Sequence, residues 1–346
     1  MKRRKSNSLF RKFIFVLLSA GILTAFLFYC VIIKNNYKTQ NGEKVYIEIL
    51  KNSSIDVVIK KLNKHGSLGA DWSFKLLSKL KKYDNNIKPG NYQLEGAYNN
   101  NDLINLLRQR KDHTFKLIIP ENIRKYEDVF SLIEDSIGFA DSSMALYIKN
   151  SDFLRDNKLT LEKLPGIFIP NTYEFYSNIS VSQFFERMIV EYEKFWNSER
   201  AAKCDSINLS QIEVITLASI IEEEQDRRIE ERPMIAGLYL NRIKQQIKLQ
   251  SDPTVIFANN DFSIRRVLNK HLRFESPYNT YIYFGLPPGP ICIPSINAID
   301  AVLNAEQHEY IFMCAKGDAS GLHNFAITNR EHNNNRAQYK KNMNFN

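Results

Sequence analysis

Phe13 to Ile33 is an uncharged run rich in Phe, Leu, Ile and Val, and it constrains this chain more than any other stretch. About 20 apolar residues in helical form span a bilayer. Lys2, Arg3, Arg4, Lys5, Arg11 and Lys12 come before the run, and little charge follows it. The positive-inside rule therefore places the tail 1–12 in the cytoplasm and the rest of the chain outside. A cleaved signal peptide would have a shorter apolar core and small residues at its end, whereas Leu27, Phe28 and Tyr29 are bulky. Cys30 follows those same large residues, not the small ones that precede a lipid-modified cysteine. The expectation is an uncleaved transmembrane helix at 13–33, single-pass, in the cytoplasmic (inner) membrane.

The same tail removes the case for nucleic acid as a partner. Of a formal net charge of +9, six positive charges lie in the first twelve residues, which leaves +3 for everything else. The 346 residues, 44% of them hydrophobic, suffice for two modest domains or one large domain with an appendage. Beyond the anchor, Cys204, Cys292 and Cys314 are odd in number and form no CxxC pair, so they read as small buried thiols.

Residues 34–43 are polar and read as a linker. Val45, Ile47 and Ile49 then alternate with polar partners, as in a strand. Helical patterns follow at Ser54 to Lys64 and at Trp72 to Lys81, with Trp72, Leu76, Leu77 and Leu80 on one stripe. Lys88-Pro89-Gly90-Asn91 signals a turn, and Asn101 or Asp102 caps a helix carrying Leu103, Ile104, Leu106 and Leu107. Residues 44–112 thus form a small α/β module without a catalytic constellation. Phe115 to Ile119 reads as another short strand, and helical patterns resume to about residue 150. Residues 166–176 are interrupted by Pro170 and read as a loop or edge strand, and Phe184 to Trp196 reads as an amphipathic helix. The Asn-rich C-terminus from His332 reads as a frayed tail.

Ser210 to Glu224 is the most informative segment. Ser210 and Glu213 make a capping box that starts a helix at Gln211. At 100° per residue, Val214, Leu217, Ile220 and Ile221 share one side, and Glu224 falls within about 60° of the last three. Glu223 points roughly 100° away from Glu224, and Glu222 about 160°. An acid that continues a buried stripe should have a raised pKa, which suits protonation of a glycosidic oxygen. The plainer reading is three solvated glutamates ending an apolar helix, and this segment alone leaves both open.

Neighbouring segments favour a polar-aromatic cleft. Gln250, Asp252 and Thr254 flank Pro253, and Ser276-Pro-Tyr-Asn-Thr-Tyr281 and Gly285-Leu-Pro-Pro-Gly-Pro-Ile-Cys-Ile-Pro294 fix backbone for a groove wall. Tyr278 and Tyr281 offer faces to sugar rings, and Asn279 and Thr280 offer hydrogen bonds to hydroxyl and N-acetyl groups. His308, His323 and His332 have no metal-motif spacing, so neither metal nor cofactor is expected.

The segments LASIIEEE (217–224), GLYLNRIKQQIKLQSDPTVIFA (237–258), SPYNTY (276–281), GLPPGPICIP (285–294) and HNFAITNREH (323–332) resemble, in this order, the MltG (YceG-like) family of endolytic murein transglycosylases. The resemblance extends more weakly through IPNTYEFY and IKPGNYQL. It implies a LysM-like module at 44–112, an α+β YceG-like catalytic domain at 113–342 and an N-terminal anchor. It also implies cleavage of the MurNAc–GlcNAc bond within peptidoglycan strands, leaving 1,6-anhydro-MurNAc ends. Glu224 corresponds to the catalytic acid, the second glutamate of an ExE pair that begins with Glu222. Glu222, Gln250, Asp252, Tyr278, Asn279, Thr280 and Tyr281 would hold the glycan. Peptidoglycan synthases are possible partners. Two other classes stay open: a muramidase-type hydrolase with Asp252 as base or nucleophile, and a non-catalytic tether that binds peptidoglycan.

Overall fold

The structure, a computed structural model, describes residues 4–50, 52–109, 114–176 and 179–344. The first three residues of the basic tail and residues 110–113, where the two expected domains meet, lie outside the described residues. The chain divides into two compact units. One comprises residues 1–115 with 174–179, the other 116–173 with 180–346.

The first unit begins with α1 (Arg4–Phe28), which runs into one π-helical turn, Tyr29–Ile33. Phe10–Ile33 is long and apolar enough to cross a membrane, and its side chains are exposed as far as Tyr29. No linker follows. Residues 34–43, expected to be one, hold β1 (Asn35–Thr39) and a 3-10 turn. After β1 come β2 (Val45–Ile49), α2 (Ile55–His65), β3 (Gly66–Leu68), α3 (Asp71–Leu80), β4 (Gly90–Leu94), β5 (Ala97–Asn99) and α4 (Asn100–Arg108). β1 is the middle strand of three, antiparallel to β3 and β5, and β2 pairs antiparallel with β4. Alternation along β2 sends Ile47 and Ile49 into a core with Phe74, Tyr92, Leu94 and Leu103, and Val31 of the π-turn joins them.

Asn100 binds the π-turn to the module, and Asn36 ties β1 to the start of α3. Buried Asn100 donates through Nδ2 to the Val31 carbonyl (2.9 Å) and to Ser73 Oγ (3.0 Å). Asn36 Oδ1 accepts from the Ala70 N–H at 2.8 Å, and its Nδ2 donates to the Ala70 carbonyl at 3.1 Å. The first turn of α3 is thus hydrogen-bonded to the end of the long helix.

The stripe expected on α3 divides. Phe74 and Leu77 enter the core with Ser73 and Ser78, while Trp72, Leu76 and Leu80 are 54%, 44% and 70% exposed. Trp72, Leu76 and Leu80 follow one another at 40° steps, and Phe74 lies on the opposite side. A helix with two apolar arcs buries only one of them against a single core.

β6 (Thr114–Ile119) pairs with β7 (Asn171–Tyr176), and the chain passes between the units along both strands. In the second unit come α5 (Tyr126–Ile137), α6 (Ser143–Asn150), α7 (Phe153–Asp156), α8 (Val181–Phe195), α9 (Ser198–Ile207), α10 (Gln211–Glu224), α11 (Arg232–Lys244), α12 (Asp252–Asn259), α13 (Asn269–Leu272) and α14 (Ile296–Leu303). An antiparallel hairpin, β8 (Phe312–Ala315) and β9 (His323–Ala326), and α15 (Asn329–Asn344) complete it. α10 is central: α9, α11, α12 and α14 pack round it, and every residue from Val214 to Glu222 is buried. Its apolar arc is therefore not its only buried face.

The C-terminus is not frayed to 344. Asparagine is a poor helix former, yet α15 packs on the β8–β9 hairpin, where His332 stacks on Phe312 (5.1 Å between centroids) and Asn342 donates to the Lys316 carbonyl (2.6 Å). Tertiary packing outweighs propensity here.

Candidate active site

The capping box begins α10 as the sequence indicates, with Glu213 accepting the Ser210 N–H at 2.8 Å. Three consecutive glutamates end the helix, and each meets different chemistry. Glu222 is 4% exposed; Arg232 donates to its Oε1 at 2.8 Å, and the Ser295 N–H (3.1 Å) and hydroxyl donate to its Oε2. Arg232 spends its other donors on the Gln225 carbonyl (2.9 Å), Ser295 Oγ (2.9 Å) and Asn297 Oδ1 (3.0 Å). That cluster is closed to ligands. Glu223 takes both Nε (3.1 Å) and Nη2 (2.6 Å) of Arg124, whose guanidinium also lies over the Phe262 ring.

Glu224 has neutral partners. Its Oε1 accepts from Ser251 Oγ at 2.6 Å and from Tyr239 OH at 2.9 Å. Burial pushes its pKa up, the two hydroxyls pull it partly back, and the nearby charge of Asp252 pushes it up again. The residue keeps some exposure along the cleft, but its carboxyl is enclosed, and solvation of the charge at that group governs the shift. Tyr239, buried beside it, is likewise pushed far above an ordinary phenol, by burial and then by Glu224.

Glu224 lies in a cleft of about 520 Å³ whose lining includes Arg242, Gln250, Asp252, Tyr281 and His323. Tyr281 donates to Asp252 Oδ1 at 2.7 Å. Gln250 stands at φ 53°, a left-handed conformation unusual for its type, and accepts from Arg242 at 3.3 Å. Arg242 also donates to the Lys248 (2.9 Å), Leu249 (2.8 Å) and Ile311 (2.6 Å) carbonyls. On the other side, His323 Nδ1 donates to Glu231 at 2.7 Å, and Gln225 donates to the same carboxylate at 2.7 Å. Burial alone would raise the Glu231 pKa, but these bonds hold it below the usual range.

Of the expected site residues, the cleft brings together Glu224, Gln250, Asp252 and Tyr281. Glu222, Tyr278, Asn279 and Thr280 do not line it. Asn279 is fully buried and knits its own loop, donating to the Leu272 (3.0 Å) and Phe274 (2.9 Å) carbonyls and accepting from the Tyr281 N–H (3.0 Å). Thr280 Oγ1 accepts from the Ser251 N–H at 3.0 Å and so supports a partner of Glu224. Tyr278 packs on Phe257, 4.6 Å between centroids.

Tyr239, Ser251, Arg242 and His323 were not anticipated individually. Tyr239 and Arg242 lie within GLYLNRIK and read there as ordinary helix residues. Ser251 carries a positional signal, since a serine before Asp-Pro is a usual helix start. His323 had none, because its partner Glu231 lies 92 residues away.

Fold and site define a class: an α+β domain with one enclosed, neutrally partnered carboxylic acid at the end of its central helix. The sequence profile of the YceG-like family matches residues 47–338, and the chain belongs to that family. An endolytic murein transglycosylase of Bacillus subtilis (strain 168) is 26% identical over 314 residues, covering 85% of this chain and 84% of that protein. One from Streptococcus pneumoniae (strain D39) is 24% identical over 329 residues, 86% of this chain but 59% of that longer protein. The crystal structure of a yceG-like protein of Listeria monocytogenes superposes with a TM-score of 0.54 at 26% identity, over 84% of this chain and 98% of that one.

Proposed function

We propose that this chain is an endolytic lytic transglycosylase of peptidoglycan, with Glu224 as acid and then base. The observation that carries the reading is that Glu224, facing a cleft, accepts hydrogen bonds from two hydroxyls and has a raised pKa. Both hydroxyls occupy Oε1, so Oε2 is the oxygen that carries the proton. Glu224 protonates the oxygen linking MurNAc to GlcNAc, and the leaving sugar departs as an alcohol. The substrate's N-acetyl group stabilises the cation left at the anomeric carbon. The carboxylate then takes the proton of the muramic acid 6-hydroxyl, whose oxygen closes the 1,6-anhydro ring. No water is consumed and Glu224 ends protonated, so a second carboxylate is not needed, unlike in hydrolysis. Family membership and the names of the relatives support the same reading.

Gln250, Asp252 and Tyr281 contact the glycan from the cleft wall in this scheme. Glu222, Tyr278, Asn279 and Thr280 act from behind, by fixing α10 and the Tyr281 loop. Digestion of uncrosslinked glycan tests the mechanism: chain ends lighter by one water and resistant to borohydride are expected. Reducible ends would instead favour a hydrolase that uses Asp252.

Phe10–Ile33 serves as a single-pass anchor in the cytoplasmic membrane, with the basic tail inside and both units outside. The β2–α2–β3–α3–β4 order, with β2 paired to β4 and two helices between them, supports a LysM-like module that meets peptidoglycan and brings the enzyme to synthases. Protease added to spheroplasts should degrade the bulk of the chain; full protection would reverse the topology.

A further inference from the structure

α3 leaves a second apolar face uncovered. Trp72, Leu76 and Leu80 form a continuous exposed stripe, with Lys75 and Lys79 along one edge and Lys82 just beyond the helix end. Exposed tryptophan and leucine beside lysine is the composition of a helix that lies in a bilayer interface.

The position of α3 relative to the long apolar helix supplies the second observation. Phe10–Ile33 contains 24 residues, about 36 Å of helix against a hydrocarbon core of about 30 Å. Arg11 and Lys12 take up the inner end of that length, and Val31 of the last turn, Tyr29–Ile33, is buried among the side chains of the module, which puts this turn at the outer headgroup level. That turn packs against α3 and α4, and it is fastened to them through the chain Val31 carbonyl, Asn100, Ser73 Oγ. Trp72 is the residue next to Ser73, in the same first turn of α3. The module thus starts at the surface the anchor crosses, and the direct entry into β1 gives it no tether with which to leave.

We propose that this face of α3 docks on the anionic surface of the membrane that holds the anchor, with Trp72 at the level of the lipid headgroups. The proposal rests on the anchor reading of Phe10–Ile33. Three apolar side chains fall far short of the roughly 800 Å² per partner of a standard protein interface, which disfavours a second copy of the chain as the occupant. Lysine at the edge suits anionic lipid. Lys75 is held by Asp56 at 2.6 Å, so Lys79 and Lys82 carry most of this attraction.

Tryptophan emission tests it directly. The chain has two tryptophans, and Trp196 is buried in the other unit at 5% exposure. The full chain and its Trp72→Phe variant are reconstituted into phosphatidylglycerol–phosphatidylethanolamine vesicles, with or without lipid brominated high on its acyl chains. The difference between the two proteins isolates Trp72. A roughly twofold or greater loss of Trp72 emission in brominated vesicles is expected, with protection from aqueous acrylamide. The double substitution Leu76→Ser, Leu80→Ser, on exposed positions that spare the core, should restore acrylamide access and relieve the quenching. Three results would overturn the proposal. In one, the chain floats with the vesicles but Trp72 is unaffected by brominated lipid. In another, Trp72 is shielded from acrylamide without lipid quenching, which would assign the face to a protein contact. In the last, quenching is indifferent to the double substitution. Failure of the chain to float at all would instead remove the anchor reading, and the proposal with it.

Discussion

On the inner side of the last turn of α10, Glu222 meets a guanidinium, a backbone N–H and a hydroxyl, and its oxygens are used by protein. On the outer side, Glu224 meets two hydroxyls, both on one oxygen, and then a cleft. Both glutamates are withdrawn from bulk water, Glu222 fully and Glu224 with one side on the cleft. The difference is the donor: Glu222 is ion-paired with Arg232 and its oxygens are spent on protein, whereas Glu224 has neutral donors and burial raises its pKa. Two residues of sequence separate an ion-paired structural glutamate from an acid able to give up a proton.

The contrast is open to breakage. Glu224→Gln should lower glycan cleavage by about 10²–10⁴-fold, measured as the rate of fragment release, because glutamine keeps the shape and loses the proton. Near-normal activity would remove Glu224 from the chemistry. Arg232→Met should leave Glu222 as an uncompensated buried charge and cost about 3–5 kcal/mol of stability, seen in denaturant unfolding. A negligible change would mean that Glu222 is not held as an anion.

Stability against pH sharpens the same comparison. The Glu224 pKa is raised in the folded state, so its favourable contribution is complete below the unfolded value and is lost as pH rises through the folded one. Glu224→Gln should therefore match the parent below about pH 4 and become the more stable protein as pH rises. A difference independent of pH would mean that Glu224 is not enclosed in solution. Ser251→Ala removes a bond that favours the Glu224 anion, so the alkaline limb of the activity profile should move upward, at a cost of about 1 kcal/mol. Glu223→Gln should have the smallest effect, about 1 kcal/mol or less in stability with cleavage unchanged, since its partner Arg124 is 39% exposed.

What was legible in the sequence were features written over short spans. The capping box, the start of α2 at Ser54 and the β2 alternation were all readable within a few turns of chain. The rest depended on what packs against what. Trp72, Leu76 and Leu80 are as apolar as Phe74 and Leu77, and only the position of the core decides which arc is buried. Asn279 and Thr280 resemble sugar-binding groups in the sequence, but their partners are the carbonyls of their own loop and the N–H of Ser251. The Glu222–Arg232–Ser295 and Gln225–Glu231–His323 clusters join segments that no local pattern connects.

From α11, Arg242 ties together two segments that lead into the cleft lining: it donates to the carbonyls of Lys248 and Leu249, just before Gln250, and to that of Ile311, just before Phe312. A guanidinium is flat and its donors point in fixed directions, so it acts as a gauge block between two jaws. The aperture cannot widen by bending one jaw alone without giving up charge-assisted bonds, and it cannot narrow past the width of the block. Lysine, a point charge on a flexible stem, would satisfy one jaw at a time and leave the spacing unset. The calibre of the groove is in this sense a dimension of one side chain, carried on a helix that also supplies Tyr239 to Glu224.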